Sequence, residues 1–359
     1  MQIINKILRL QRLYIFFISF VLFIIIFSTT FLHANTFKVS DIEISSPFEV
    51  NFNKNRAIDE GFQISFLNLL TMITTSGDKN KIKNISIKEL KSMIDSFTIS
   101  DEKFINNEYF AKLETTFNKK KFLNFLERKN VFPSMPIKNK VLLLPVLVDT
   151  ETENIYLYDK NIFYERWNDE RKNYQLLEYI LPTEDIEDLN KIQEMSGSIE
   201  SYDFSTLIAK YDLRDYIISI IYKDKNEIKI FSKTNLKNKL KVSNQKYINI
   251  NLENEEDFQK ILKNLKNIYE DYWKKNNEIN TSIKHPLTLS VDSKNYKKIE
   301  KLEKSFGIMD LISKFYIIKF DNNNIQYRII YNGSPKNFFN DMKNQNLEVV
   351  KKNNIWIIK

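Results

Sequence analysis

The chain has 359 residues, a formal net charge of +8, 43% hydrophobic and 13% aromatic residues, and no cysteine. That length predicts two or three domains, and the apolar content excludes a disordered or fibrous chain. The missing cysteine excludes disulfides, zinc ribbons, iron–sulfur sites, thiol nucleophiles and a lipidated N-terminal Cys.

The first segment carries an address. Lys6, Arg9 and Arg12 form a basic start with no acidic residue nearby. Leu13 to Phe27 is almost wholly apolar, and the more polar run STTFLHA ends at Ala34. Basic start, apolar middle and small closing residue make the layout of a secretory signal, with Leu32 and Ala34 at the positions the peptidase reads. The alternative is a retained anchor, because residues 13–32 are long enough to span a bilayer of about 30 Å. In both cases the positive-inside rule places residues 35–359 outside the cytoplasm. The three basic residues leave with the signal, so the remainder carries five net positive charges. Lys, Asn and Ile dominate the composition, as AT-rich codons alone would produce; a basic surface also favours anionic lipid or polymer.

Residues 35–135 read as the first module. Phe37, Val39, Ile42 and Ile44 keep roughly strand spacing. A helix follows, capped by Asn53 or Asn55, with Ile58, Phe62, Phe66, Leu69, Leu70 and Ile73 as its apolar stripe. Gly77-Asp78 is expected to stop it. Ser86 to Ile94 predicts a short helix. Phe97 to Ile105 and Tyr109 to Phe117 predict two strands about Asn106-Asn107, and Lys119 to Lys129 a further helix. The order is β-α-β-β-α with a run toward Val141, the split βαβ or ferredoxin-like order with a helical insertion.

Pro133 and Pro136 mark a junction to a middle α/β domain, residues 136–276. Its first strand, residues 141–148 (VLLLPVLV), is a continuous apolar run, as in a strand covered on both faces. Asn161 to Tyr174 predicts a helix carrying Phe163, Tyr164 and Trp167. Leu176 to Leu181 predicts a strand, Asp203 to Tyr211 a helix, and Tyr216 to Tyr222 a buried strand paired with Asn226 to Phe231. Residues 238–252 add one or two polar strands. Glu255 to Asn276 is the strongest helix: Phe258, Ile261, Leu262, Leu265, Ile268, Tyr269 and Tyr272 recur every three to four residues. Its first turn is acidic and its last turn basic, as the helix dipole favours.

Residues 277–285 read as a polar linker. Residues 286–359 predict a second ferredoxin-like module, β-α-β-β-α-β. Its elements are a strand at Leu287 to Val291, a helix at Asn295 to Phe306, a hairpin of Leu311 to Phe320 with Ile325 to Tyr331, a helix begun by Ser334-Pro335, and a closing strand or hairpin to Ile358. The fold class is α+β, with two small modules flanking a three-layer α/β domain.

No site is nominated. The glycines Gly61, Gly77, Gly197, Gly307 and Gly333 stand alone, so no dinucleotide or phosphate-cradling loop exists. His33 lies in the signal, and His285 reads as a solvent-exposed linker residue. A lone imidazole builds neither a His-rich metal site nor a readily placed triad. Glu184, Asp185, Glu187 and Asp188 read as a helix start with Thr183 as cap; they lack the alternation and glycine of a calcium loop. A glycosidase needs two carboxylates from different elements, and nothing nominates a pair. Trp167, Trp273 and Trp356 read as core. No catalytic, cofactor-binding or metal-binding residue follows, and no cofactor.

Several stretches carry a resemblance: RAIDEGFQISFLNLL (56–70), YFAKLETTFNKKKFLNFL (109–126), VLLLPVLVD (141–149), NIFYERW (161–167) and LPTEDIEDL (181–189). From about residue 37 onward the chain resembles an uncharacterised bacterial envelope family, catalogued as domain-of-unknown-function family 2066. That family similarly has an aromatic-rich helix ending in Trp, then Pro and an acidic pair, here Asp185 and Asp188. A second Trp usual in that helix is replaced by Phe163. The resemblance implies export and architecture; the family has no established activity, so no mechanism comes with it. The expectation is an exported, non-enzymatic binding or scaffold protein of the periplasm. Its partner would be an envelope protein or cell-wall component rather than nucleic acid, with membrane contact through residues 13–32 if that segment is retained. The alternatives are a carboxylate-dependent hydrolase of an envelope polymer and a peripheral lipid-binding protein.

Overall fold

The computed structural model describes residues 37–359 apart from 171, 196, 281, 310, 353, 354 and 359. The expected signal or anchor segment, with His33, lies outside the described residues. Those residues form an α+β structure of three sheets and ten α-helices. No described helix is long and apolar enough to cross a membrane.

Strand β1 (Lys38–Pro47) leads to helix α1 (Lys54–Ile73). The Asn53 side chain accepts from the Asn55 and Arg56 N–H groups and starts the helix. Helices α2 (Ser76–Ile82) and α3 (Ile87–Ser92) follow, then strands β2 (Ile94–Ile105) and β3 (Glu108–Phe117) and helix α4 (Lys119–Arg128). Gly77-Asp78 does not end the long helix. It stops at Ile73, and Thr75 caps a new helix that contains Gly77. The sheet order is β1-β3-β2, all antiparallel. Alternate residues of β3, from Tyr109 to Phe117, face Phe62, Phe66 and Leu70 of α1 and Phe122 of α4. Burying one such side chain contributes about 1.5–3 kcal/mol. Gly61 lets α1 sit low on the sheet: a Cβ there would lie 2.7 Å from Ile44 Cδ1 and 2.8 Å from Leu113 Cδ2.

The run toward Val141 does not add to this sheet. It becomes β4 (Asn139–Asp149), the axis of a six-stranded sheet with β5 (Asn154–Tyr156), β6 (Leu177–Ile180), β7 (Tyr216–Asp224), β8 (Glu227–Leu236) and β9 (Lys239–Ile248). The order is β5-β4-β7-β8-β9. Strand β6 runs parallel to the first half of β4, and β5 antiparallel to its end. β4 and β7 are parallel, which is why both read as unbroken apolar runs. Val141 and Leu143 face helix α8 (Glu255–Asn276), while Leu142, Leu144 and Val146 face the side that holds helices α6 (Ile186–Gln193) and α7 (Ser205–Ala209).

Two predicted elements are shorter than expected. The helix at Asn161 is only α5 (Ile162–Arg166). Past Trp167, Asn168 donates to the Tyr179 carbonyl and Asp169 accepts from Arg166, so polar side chains compete with the helix. The helix expected from Asp203 begins at Ser205, because the Asp203 carboxylate holds the Ser205 N–H. Residues 238–252 give a single strand, β9.

The expected linker is tied down at its start. Glu278 bridges Ser134, and Ile279 N–H donates to the Pro133 carbonyl. His285 is no linker residue: it opens β10 (His285–Asp292), opposite Tyr331, with its side chain exposed. Helix α9 (Tyr296–Ile308), strands β11 (Ile312–Phe320) and β12 (Asn324–Tyr331), helix α10 (Pro335–Asn344) and strands β13 (Val349–Lys352) and β14 (Ile355–Ile358) complete the chain. The sheet order is β11-β12-β10-β14-β13, with β14 parallel to β10. Trp356 on that interior strand is 5% exposed and packs edge-on against Phe339, 4.0 Å between ring centroids.

Candidate functional site

Helix α8 organises the site. Asn254 caps it, Glu255, Glu256 and Asp257 fill its first turn, and Lys274 and Lys275 its last. Its apolar face covers the six-stranded sheet through Phe258, Ile261, Leu262, Leu265 and Tyr269. One stripe of that helix changes character along its length. Phe258 and Leu262 are followed at the same spacing of four by Lys266, Glu270 and Lys274, and all three charged residues are buried. Lys and Glu are rarely buried unless paired.

These side chains form one wall of a groove of about 390 Å³, closed by Thr71 at the end of α1 and by Lys172, Tyr174 and Gln175 before β6. Glu270 Oε1 accepts from the Leu176 and Leu177 N–H groups at 2.9 and 2.7 Å. Its Oε2 has no hydrogen-bond partner and stands 3.9 Å from Lys274 Nζ, an ionic contact too long for a hydrogen bond. Lys274 Nζ instead donates to the Thr71 carbonyl at 2.7 Å. Lys266 Nζ donates to the Glu170 carbonyl at 3.2 Å and lies over the Trp167 ring.

Burial sets the electrostatics. It pushes the Glu270 carboxyl up, against the opposing pull of Lys274 and the two N–H donors. It lowers Lys274, with Glu270 pulling back, and also lowers Lys266. Lys79, on α2, is lowered by burial and then by the nearby charges of Lys274 and Lys263. Behind the groove, Tyr179 is pushed well up, by burial first and then by Glu270, and its hydroxyl has no partner.

Of the residues weighed from sequence, Trp167 lies against Lys266 of the groove wall, and the acidic cluster and Trp356 lie elsewhere. Asp185, not Thr183, caps α6: its carboxylate accepts from the Glu187 and Asp188 N–H groups, whereas Thr183 N–H donates to the Tyr211 hydroxyl. Asp185 and Asp188 each hold Lys210 Nζ at 2.7 Å, so a lysine of the chain itself occupies the acidic cluster. Trp167, Trp273 and Trp356 are all core, and Trp273 donates its indole N–H to the Ile137 carbonyl. Among the described residues no group of three or more His, Asp or Glu side chains is placed to hold a metal ion. The groove residues were missed because Lys266, Glu270 and Lys274 resemble an ordinary polar face. The available signal was that they continue the spacing of Phe258 and Leu262.

No model of a known protein family matches the chain, and no curated protein matches it.

Proposed function

We propose that this chain is an exported, non-enzymatic binding protein of the cell envelope that receives a ligand in the groove beside α8. Its framework is read as two small ferredoxin-like modules flanking the six-stranded α/β domain. The succession β11-β12-β10-β14 supports that reading for the last module, and β1-β3-β2 supports a three-stranded version for the first. The basic–apolar–small pattern of residues 1–34 supports export.

The observation that carries the binding reading is the buried triplet Lys266, Glu270 and Lys274 along one wall of a concave site. Burying three charges costs stability, and the groove falls within the range of about 300–1,000 Å³ typical of small-molecule sites. Asn267 lies exposed at the same groove. Extracts of envelope fractions should raise the melting temperature of the 35–359 chain, and Asn267→Trp should remove that rise. An extract without effect on either protein overturns the reading.

One observation favours the hydrolase. Glu170 and Glu270 line the same groove, and the Glu270 carboxyl is raised by burial, as a general acid requires. Against it, Glu270 is committed to two backbone N–H groups and Lys274. Turnover of envelope polymer that Glu270→Gln abolishes, with the fold intact, would replace the binding reading.

A further inference from the structure

Four lysines and two glutamates line the groove, and a fifth lysine, Lys79, is within electrostatic reach of Lys263 and Lys274. Glu170 is paired with Lys172 at 3.1 Å, and Glu270 faces Lys274. That leaves Lys79, Lys263 and Lys266 with no carboxylate within ion-pair distance among the described residues. Lys266 makes its one hydrogen bond to a backbone carbonyl, and Glu170 and Asp169 offset its charge only from beyond ion-pair distance. Lysine is abundant throughout this chain, and compositional drift alone would scatter it over the surface. Drift does not bury Lys266 and Lys274, at 6% and 5% exposure, along one stripe. Nor does it account for Lys79 lying close enough to Lys274 and Lys263 for their charges to disfavour its own. A concave site with fixed surplus positive charge focuses potential and concentrates anions.

We infer that the groove beside α8 binds an oxyanion, a phosphate or carboxylate group, held by Lys263 and Lys266, which are one helical turn apart. The inference rests on the binding reading above and narrows it to a ligand class. Each ammonium has three N–H donors, so Lys266 retains donors beyond the one spent on the Glu170 carbonyl. Glu270 Oε2 adds an acceptor for a hydroxyl or amine on the same ligand. The oxyanion has two sources, a free small molecule or the headgroup of an anionic lipid.

The test uses the 35–359 chain, with inorganic phosphate, citrate and chloride as probes at matched ionic strength. Phosphate or citrate should bind saturably by calorimetry, and chloride should not compete. Lys263 is exposed, so Lys263→Glu keeps the fold and should weaken binding by about tenfold, the worth of one hydrogen bond to a charged group. Lys336→Glu on α10 should leave it unchanged. Vesicles containing anionic phospholipid, bound with the same sensitivity to Lys263→Glu, would support the inference with a headgroup as the source. Vesicles without effect beside saturable phosphate binding would support it with a free molecule. Heat effects that follow ionic strength alone, or binding indifferent to Lys263→Glu, overturn it. If an envelope component still stabilises the protein and Asn267→Trp removes that effect while neither anion binds, the binding reading survives and this inference falls.

Discussion

Lys274 stands one helical turn beyond Glu270, and the two buried side chains meet at 3.9 Å while each is anchored to backbone of a different segment. Glu270 grips the N–H groups that open β6; Lys274 grips the last turn of α1 through Thr71. The pair therefore joins three parts of the chain far apart in sequence.

Removing one member strands the other. Lys274→Met should cost about 3 kcal/mol in urea unfolding, because Glu270 keeps a buried charge without its counter-ion. Glu270→Gln combined with Lys274→Met should recover most of that loss. A double variant as unstable as the single one would show that the two charges are not coupled.

Asn161 is fully buried and serves backbone groups on both sides of a turn. Its amide donates to the Pro145 and Tyr156 carbonyls at 2.9 and 3.0 Å, and its oxygen accepts from the Phe163 and Tyr164 N–H groups. Asn161→Ala leaves these groups unpaired in a dry site and should cost about 3 kcal/mol. Asn161→Asp should be comparably harmful, since the donors to Pro145 and Tyr156 are lost. A melting temperature unchanged in either variant would contradict this placement.

Arg166 clasps Glu255 with two parallel hydrogen bonds, 2.7 and 2.9 Å, and holds its carboxyl down to about 2 from the ordinary 4.5. A carboxyl with a depressed folded-state pKa stabilises above its unfolded pKa, and the effect fades as pH falls through the folded value. The contribution should therefore be full at neutral pH and disappear between 4.5 and about 2. Urea midpoints of the native protein should fall more steeply across that window than those of Glu255→Gln. Parallel curves would mean the clasp is absent in solution.

Strands β10 to β14 and helices α9 and α10 share one apolar cluster that includes Leu289, Phe306, Tyr327, Phe338 and Trp356. A fragment of residues 284–359 should fold alone and melt cooperatively, with blue-shifted Trp356 emission that turns red on denaturation. Its core is near the lower size limit, so its stability should be only about 3–5 kcal/mol. Random-coil amide shifts in the fragment would refute this.

Much of the α+β order was legible because apolar spacing announces it. The stripe of α1, the unbroken runs of β4 and β7, and the length of α8 all follow from burial that the residues themselves encode. What was misjudged turned on single polar contacts. Whether Thr183 or Asp185 caps α6, and whether a helix continues past Trp167, depends on which side chain reaches a backbone group first. The groove was illegible for a different reason. A lysine on a helix becomes a buried lysine only when a remote segment, here the one carrying Glu170, Lys172, Tyr174 and Gln175, closes over it. No local pattern states that closure.

Each sheet is assembled only from strands that are neighbours in the chain: β1 to β3, then β4 to β9, then β10 to β14. No strand of a later sheet must wait for an earlier one, or be threaded back into it. A chain emerging amino-terminus first, from a ribosome or through a membrane pore, can finish each sheet before the next has appeared. Confining each sheet to one stretch of the chain sets an upper limit on the loops that pairing must close, the longest joining β1 to β3, β4 to β7 and β10 to β14. It also means that an apolar strand such as β4 waits only for β7 of its own sheet, not for the end of the chain, before its exposed edge is paired.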